Sequence, residues 1–338
     1  MRHFSLVLVV SLAAGSVGLT RAATSQSPSC APIMDIYATS QAQLHACSLT
    51  EIPLTSISAL PGGGSAYNYT LSDGQTYSMV QPPVGFNPQT ASAGEDAAYG
   101  VPPAPSPQSA GYADWQKLAD GHYAVVPQRP YLVVAQPLSQ AQPSTASGSL
   151  STNGNSIWAG HSNGGSGWTE VQVSYTEPTL GPTGCSNPQV GFWAGIGNTS
   201  NALGQTGTAS GPYGLHQVFF ENLPAGAAFP GVTAPKGSYV IDNVQYNGSD
   251  KWTYAVDISG TNHIFYGTGN YDGSIAEAIT ERPDGAPLMN FNQVHMYAQV
   301  GRSLDAMAPG TMWDMTGYAT TSDISYGDFT VTQNHCGG

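Results

Sequence analysis

From residue 157 onward, apolar and polar positions alternate in short bursts. Thr169, Val171, Val173 and Tyr175 alternate with Glu170, Gln172 and Ser174, the two-residue period of a half-buried strand. Runs at 190–196, 215–221, 239–246, 252–258, 275–281, 294–300 and 329–332 predict further strands. Gly, Pro, Asn and Asp clusters separate nearly all of them, and no long helical period intervenes. The pattern predicts an all-β fold, an antiparallel β-sandwich or jelly roll.

The earlier part has a different texture. Gly62 to Gly64, Pro82-Pro83 and Pro102-Pro103 interrupt it, and a Ser/Ala/Gln/Pro-rich stretch from Pro137 to Ser149 reads as a flexible, cleavable linker. Between these, 110–119 predicts a short helix around Trp115 and Leu118, and 131–136 a strand. At the start, Arg2 and His3 precede an apolar run from Phe4 to Leu19, followed by Ala22 and Ala23. That order reads as a cleaved secretory signal, the run being short for a membrane span. The expected organisation is a signal peptide at 1–22, a loosely structured propeptide with its linker at 23–150, and a folded domain at 151–338. The expected product is secreted and monomeric, with no membrane contact after signal cleavage.

Charged residues are only 9% of the 338, against 41 glycines and 25 prolines. The net charge of −13 argues against a nucleic-acid partner, since phosphate binding needs clustered Lys and Arg. After residue 150 the only Lys and Arg are Lys236, Lys251, Arg282 and Arg302. With its carboxylates neutralised, such a chain carries little self-repulsion, so the composition tolerates acid. Four cysteines in an exported chain suggest two disulfides. Three connectivities are possible; pairing within each part, Cys30 with Cys47 and Cys185 with Cys336, is the simplest. The absence of close Cys or His pairs argues against a metal site.

The sequence contains no Gly-x-Ser-x-Gly, no His-Glu-x-x-His and no phosphate-cradling Gly-rich loop. The histidines are scattered singly, which leaves carboxylates and amides as chemical tools. In the run Ser274 to Pro283, Ile275, Glu277, Ile279 and Glu281 share one strand face. A half-buried carboxyl there would have a raised pKa suited to acid–base work, whereas a solvated face with isolated isoleucines would be structural.

Several segments resemble the eqolisin family of glutamic peptidases. Ser156-Ile157-Trp158-Ala159-Gly160 and the strand from Trp168 to Pro178 resemble the opening of the catalytic domain. Phe192-Trp193-Ala194-Gly195-Ile196-Gly197 is similar to the family's Trp-Val-Gly-Ile-Asp, and Leu203-Gly204-Gln205-Thr206-Gly207 to its Leu-Gln-Thr-Gly. Phe219 to Pro224 resembles Trp-Tyr-Glu-x-x-Pro, and Ala276 to Glu281 resembles Ala-Glu-Trp-Ile-x-Glu. Pro82 to Pro88 and Tyr99 to Pro103 look like propeptides of bacterial members. The chain departs from the pattern at Gly197, Ala209, Phe219 and Ala278. The resemblance implies a concanavalin A-like (lectin-like) jelly roll, polypeptide substrates, no cofactor and no metal. It assigns catalysis to Gln205 and Glu281, and substrate contact to Glu221, Trp158, Trp193 and Glu277.

Two other readings are compatible with a sandwich. One is a secreted glycoside hydrolase. Glu277 and Glu281 alone could not serve it, because four residues along a strand span about 13 Å, beyond the roughly 5–9.5 Å of glycosidase carboxylates; Glu221 with Glu281 stays open. The other is an inactive carbohydrate- or protein-binding sandwich. Sequons at Asn68, Asn198 and Asn247 would matter only in a glycosylating host.

Overall fold

The computed structural model describes residues 30, 33, 35–125, 129–135, 151–155, 157–181, 184–197, 202–212 and 214–336. The expected signal peptide, the 137–149 linker and Asn198 lie outside these. The N-terminal segment contains α1 (Gln41–Ala46), β1 (Leu49–Ala59), β2 (Ser65–Thr70), β3 (Thr76–Gln81), α2 (Ala93–Ala98), α3 (Tyr112–Asp120), β4 (His122–Tyr123) and β5 (Tyr131–Ala135). Ser40 and Ser92 cap the first two helices, Ser92 in a reciprocal capping box with Glu95.

The rest is built from strands. They are β6 (Ser151–Asn155), β7 (Trp158–Gly164), β8 (Glu170–Thr176), β9 (Val190–Ile196), β10 (Gly204–Gly211), β11 (Gly214–Asn222), β12 (Ala228–Phe229) and β13 (Tyr239–Tyr246). There follow β14 (Lys251–Ile258), β15 (Thr261–Thr268), β16 (Ile275–Glu281), β17 (Gln293–Val300), β18 (Asp305–Ala306), β19 (Thr311–Met315), β20 (Ala319–Thr321) and β21 (Asp328–Gln333). Eight of the strand runs expected from alternation coincide with observed strands to within a residue or two.

Two antiparallel layers enclose the main core. In one, β7, β16, β9, β10 and β11 are successive neighbours; in the other, β15, β14, β13, β8, β17 and β21 are. Alternate residues point inward from both: Phe192, Ala194, Ile196, Val218, Phe220 and Ala278 face Val171, Val173, Val240, Val244, Tyr254 and Ala298. Among the described strands, only β4 on β15 and β6 on β19 pair in parallel.

The N-terminal segment is more regular than its composition suggests. Its strands β5, β1, β2 and β3 form an antiparallel run that starts on β12 and finishes on β15, joining the two layers along one side. On the other side β19 and β20 link β7 to β21, so the ladder of strands closes on itself. Tyr67, Tyr69, Tyr77, Met79, Leu132 and Val134 drop into the main core, which explains why this low-charge, turn-rich stretch orders. The cysteines pair within each part, Cys30 with Cys47 and Cys185 with Cys336, at Cα separations of 4.7 and 6.3 Å.

Phe220 stands where the parts meet. Its ring stacks on Phe265 at 4.7 Å and meets Tyr77 of the N-terminal segment edge-on at 5.0 Å. Phe220→Ala is expected to destabilise the chain by about 3–5 kcal/mol in denaturant unfolding, through lost burial and a residual cavity. A loss below about 1 kcal/mol would show that this ring is not a keystone of the core.

Candidate active site

Alternation that sends Phe192 and Ala194 inward sends Trp193 outward, and the same parity holds on four neighbouring strands. The outward face of β7, β16, β9, β10 and β11 forms three cross-strand rows. They read Trp158–Glu281–Gly191–Ala209, then Gly160–Ile279–Trp193–Gly207–Phe219, then Ser162–Glu277–Gly195–Gln205–Glu221. Glycines at the middle of the rows leave room above the sheet. A Cβ on Gly195 would come within 2.7 Å of the Trp193 ring, so the bare position lets the indole lie down on the strands.

Two polar side chains are fixed by separate partners. Trp193 Nε1 donates to Glu281 Oε2 at 2.8 Å. The Gln205 amide donates from Nε2 to Glu221 Oε2, while Gln205 Oε1 has no hydrogen-bond partner. Gln205, Glu221, Glu281 and Trp193 line one cavity of about 250 Å³, with Gln189, Phe219 and Phe229. Each of the four is buried.

The other two expected site residues lie beside this cavity rather than on its wall. Trp158 packs edge-on against Trp193 and Trp313 at 5.4 and 6.4 Å. Glu277 is completely buried, and neither carboxyl oxygen has a hydrogen-bond partner. Burial, then the nearby Glu281 charge, push its pKa well up, so it holds its proton. Register sets Glu277, not Glu281, across Gly195 from Gln205, and the Trp193 indole fills the row between.

The departures from the family pattern have distinct consequences. Ala209 and Phe219 line the cavity, whereas Ala278 faces the main core. Gly197 has φ +114°, and a Cβ there would run into the Ala202 carbonyl, so this backbone has no room for the acidic side chain the pattern carries.

Sequence reading did not anticipate Gln189, Phe229 or the N-terminal residues in the lining: Cys30, Ala46, Cys47, Ser48, Leu49 and Ala135. Phe229 sits on a two-residue strand without a detectable period. The N-terminal residues come from far away in the chain, where the cysteine pair and the 131–136 strand holding Ala135 were the signals. Among the described residues, no cluster of three or more His, Cys, Asp or Glu is placed to hold a metal.

No family model matches the chain, and no curated protein does. Among solved structures it is similar to scytalido-glutamic peptidase with a transition state analogue inhibitor, at 18% identity and a TM-score of 0.46. That likeness covers 53% of this chain and 98% of the other. A second structure of that peptidase, with a peptide-based analogue, gives 16% and 0.43 over the same shares. SCP-B, a member of the eqolisin family in complex with the tripeptide Ala-Ile-His, gives 15% and 0.36, again over 53% and 98%. At these values the likeness assigns no role to any residue here.

Buried carboxyls are the main electrostatic feature of the molecule. Burial pushes Glu170 up to about 7 and Asp257 up to about 6, and also raises Glu177, Asp242 and Glu277. Glu177 is restrained by Thr208 and by His216, whose Nδ1 lies 2.7 Å from its Oε1. Each of these carboxyls keeps its proton longer in the fold than in the unfolded chain. Their contribution to stability is complete below the ordinary carboxylate range and is lost as pH rises through the folded values. Two histidines act oppositely: desolvation lowers buried His161, and takes half-buried His263 down to about 4, so both cost stability as pH falls below their ordinary 6.5. Five carboxyls outweigh two imidazoles. For Glu170, the rise from 4.5 to about 7 is worth on the order of 3 kcal/mol.

The thermal midpoint is therefore expected to rise as pH falls from 8 to 5, and Glu170→Gln should flatten the profile near pH 7. A wild-type midpoint that drops steadily over that range would contradict the assignment.

Proposed function

We propose that the chain is the precursor of a secreted acid endopeptidase whose Glu281 and Gln205 activate water against a peptide bond. The observation that carries this reading is one carboxylate and one amide, from different strands, on the wall of a single cavity. Each is held by a hydrogen bond to a side chain of the adjacent strand. Trp193 engages one Glu281 oxygen, and Glu221 takes one of the two Gln205 amide hydrogens.

In this mechanism Glu281 removes a proton from a water whose oxygen attacks the scissile carbonyl carbon. The remaining Gln205 N–H faces the carbonyl oxygen as negative charge develops there. Glu281 then delivers its proton to the amide nitrogen, the C–N bond breaks, and an acid and an amine leave. Glu277, neutral and buried behind the cavity wall, is a positioning residue, and Trp158 backs Trp193.

Removal of residues before about 150 would open the side of the main core filled by Tyr67, Tyr69, Tyr77 and Met79, and would uncover the second layer where it lies under the N-terminal segment. Beneath it lie Glu170, Gln172, Ser174, Asn243, Gln245 and Gln299, joined by side-chain hydrogen bonds such as Gln172 to Gln299 at 2.9 Å and Ser174 to Asp114 at 2.9 Å. A face of this kind is compatible with water once uncovered, unlike an apolar core. Glu221 and Glu281 share the cavity as well, which keeps a glycosidase as the second reading.

With a denatured protein at about pH 4, Glu281→Gln is expected to lose roughly 10²–10⁴ in rate and Gln205→Ala roughly 10²–10³, with unfolding midpoints near wild type. Full activity in either variant, or release of sugar without peptide cleavage, would sink the peptidase assignment.

A further inference from the structure

A second cavity, of about 500 Å³, lies where the N-terminal segment meets the outward face of the second layer. It shares no lining residue with the cavity of Gln205 and Glu281. The segment gives its wall three prolines, Asp96 and Trp115, and the β domain gives Glu170, Gln245, Tyr246 and Arg302. Its size falls within the roughly 300–1,000 Å³ of small-molecule sites.

The polar groups of this wall are anchored, yet part of their bonding capacity is unspent. Glu170 is 2% exposed; its Oε1 accepts from Asn243 Nδ2 at 3.0 Å, and among the described residues nothing bonds Oε2. Gln245 donates to the Asn243 side chain at 2.8 Å and to the Gly100 carbonyl at 3.3 Å, which uses both amide hydrogens and leaves its oxygen to offer. Asp96 Oδ1 is buried without a partner. The two rings are fixed as well. Trp115 Nε1 donates to the Pro102 carbonyl at 2.8 Å, Tyr112 stacks on the indole at 5.6 Å, and Tyr271 backs Tyr246 at 3.8 Å. A wall ordered in this way loses little freedom when a ligand arrives.

The charges decide the class of ligand. Ion pairs among the described residues join Lys117 to Asp114, His216 to Glu177 and His295 to Asp328, so Arg302, Glu170 and Asp96 line one cavity without pairing with one another. A cation would meet Arg302 there, and an anion would meet Asp96. Glu170, raised to about 7 by burial, is in acid an uncharged group that both donates and accepts. A pyranose has an apolar C–H face for an aromatic ring and a rim of hydroxyls for such groups. We propose that this cavity binds a neutral saccharide of one or two rings, with Trp115 as its stacking surface and Glu170, Gln245 and Asp96 as partners of its hydroxyls. Because both parts of the chain build the wall, the bound sugar fastens the N-terminal segment to the β domain by mass action. Neither statement depends on the peptidase reading.

Isothermal titration and thermal unfolding of the full chain at about pH 5 test this with D-glucose, D-galactose, D-mannose, N-acetyl-D-glucosamine and cellobiose. Cadaverine and phosphate serve as the charged probes. At least one sugar is expected to bind at one site per chain and to raise the unfolding midpoint by a few degrees, while neither charged probe does. Trp115→Leu, at a half-buried position, should weaken that binding roughly tenfold or more. Trp193→Phe, in the other cavity, should leave it unchanged. If Trp115→Leu does not fold, Asp96→Ala is read by the same criteria. A chain that neither binds nor is stabilised by any of the sugars overturns the proposal, as does a midpoint shift produced by cadaverine or phosphate alone. Sugar binding lost in Trp193→Phe and kept in Trp115→Leu puts the ligand in the Gln205 and Glu281 cavity and overturns it too.

Discussion

The site depends on the parity of neighbouring strands. On β9, β10, β11 and β16 each inward residue is committed to a dry core, so each outward residue is presented to the opposite side with little choice of direction. Phe192 and Ala194 thereby place Trp193, and Val218 and Phe220 place Phe219 and Glu221. Chemistry carried on paired strands inherits the rigidity of the core behind it, which loops would not provide. A one-residue register slip on β16 would turn Glu277 and Glu281 into the main core and Ala276 and Thr280 out of it. Ladder hydrogen bonds on both sides of β16 resist that slip.

The handling of charge follows from the same economy. With few basic residues available, the chain pairs one buried acid, Asp114, with Lys117 at 2.7 Å, and keeps others protonated or bonds them to amides and hydroxyls. Asn243 serves Glu170, and Thr208 serves Glu177. Low charge in the sequence suggested tolerance of acid. The buried carboxyls go further, since the folded state favours protons over the unfolded chain.

Alternation was a reliable guide wherever a strand had one dry and one polar face, as in β8, β13 and β14. It was silent for β10, Gly-Gln-Thr-Gly-Thr-Ala-Ser-Gly, which reads as turn yet is buried throughout and paired along both edges by β9 and β11. Propensity gives way there to tertiary pairing. Gln205 was found through its motif, not through its strand. The linker-like composition of the N-terminal segment hid Tyr67, Tyr69, Tyr77 and Met79, whose alternation is plain only once β1 and β15 are seen to flank them. Carboxylate identity was legible, but the distinction between Glu281 on the cavity wall and Glu277 behind it was not. Both have the same parity, and only the indole between the rows separates them.

Closure of the strand ladder has one more implication, for solubility. In the ring most strands are paired on both sides; among the described strands β4, β6 and β18 have one partner each. A molecule that shed β1, β2, β3 and β5 would gain two raw flanks at once. One, β12, is only two residues long and recruits strands poorly. The other is β15, where Ile264 to Gly267 would lose the partners they have in Tyr77 to Val80 and display apolar side chains beside open amides. The N-terminal strands are thus also what keeps one chain from templating onto the next.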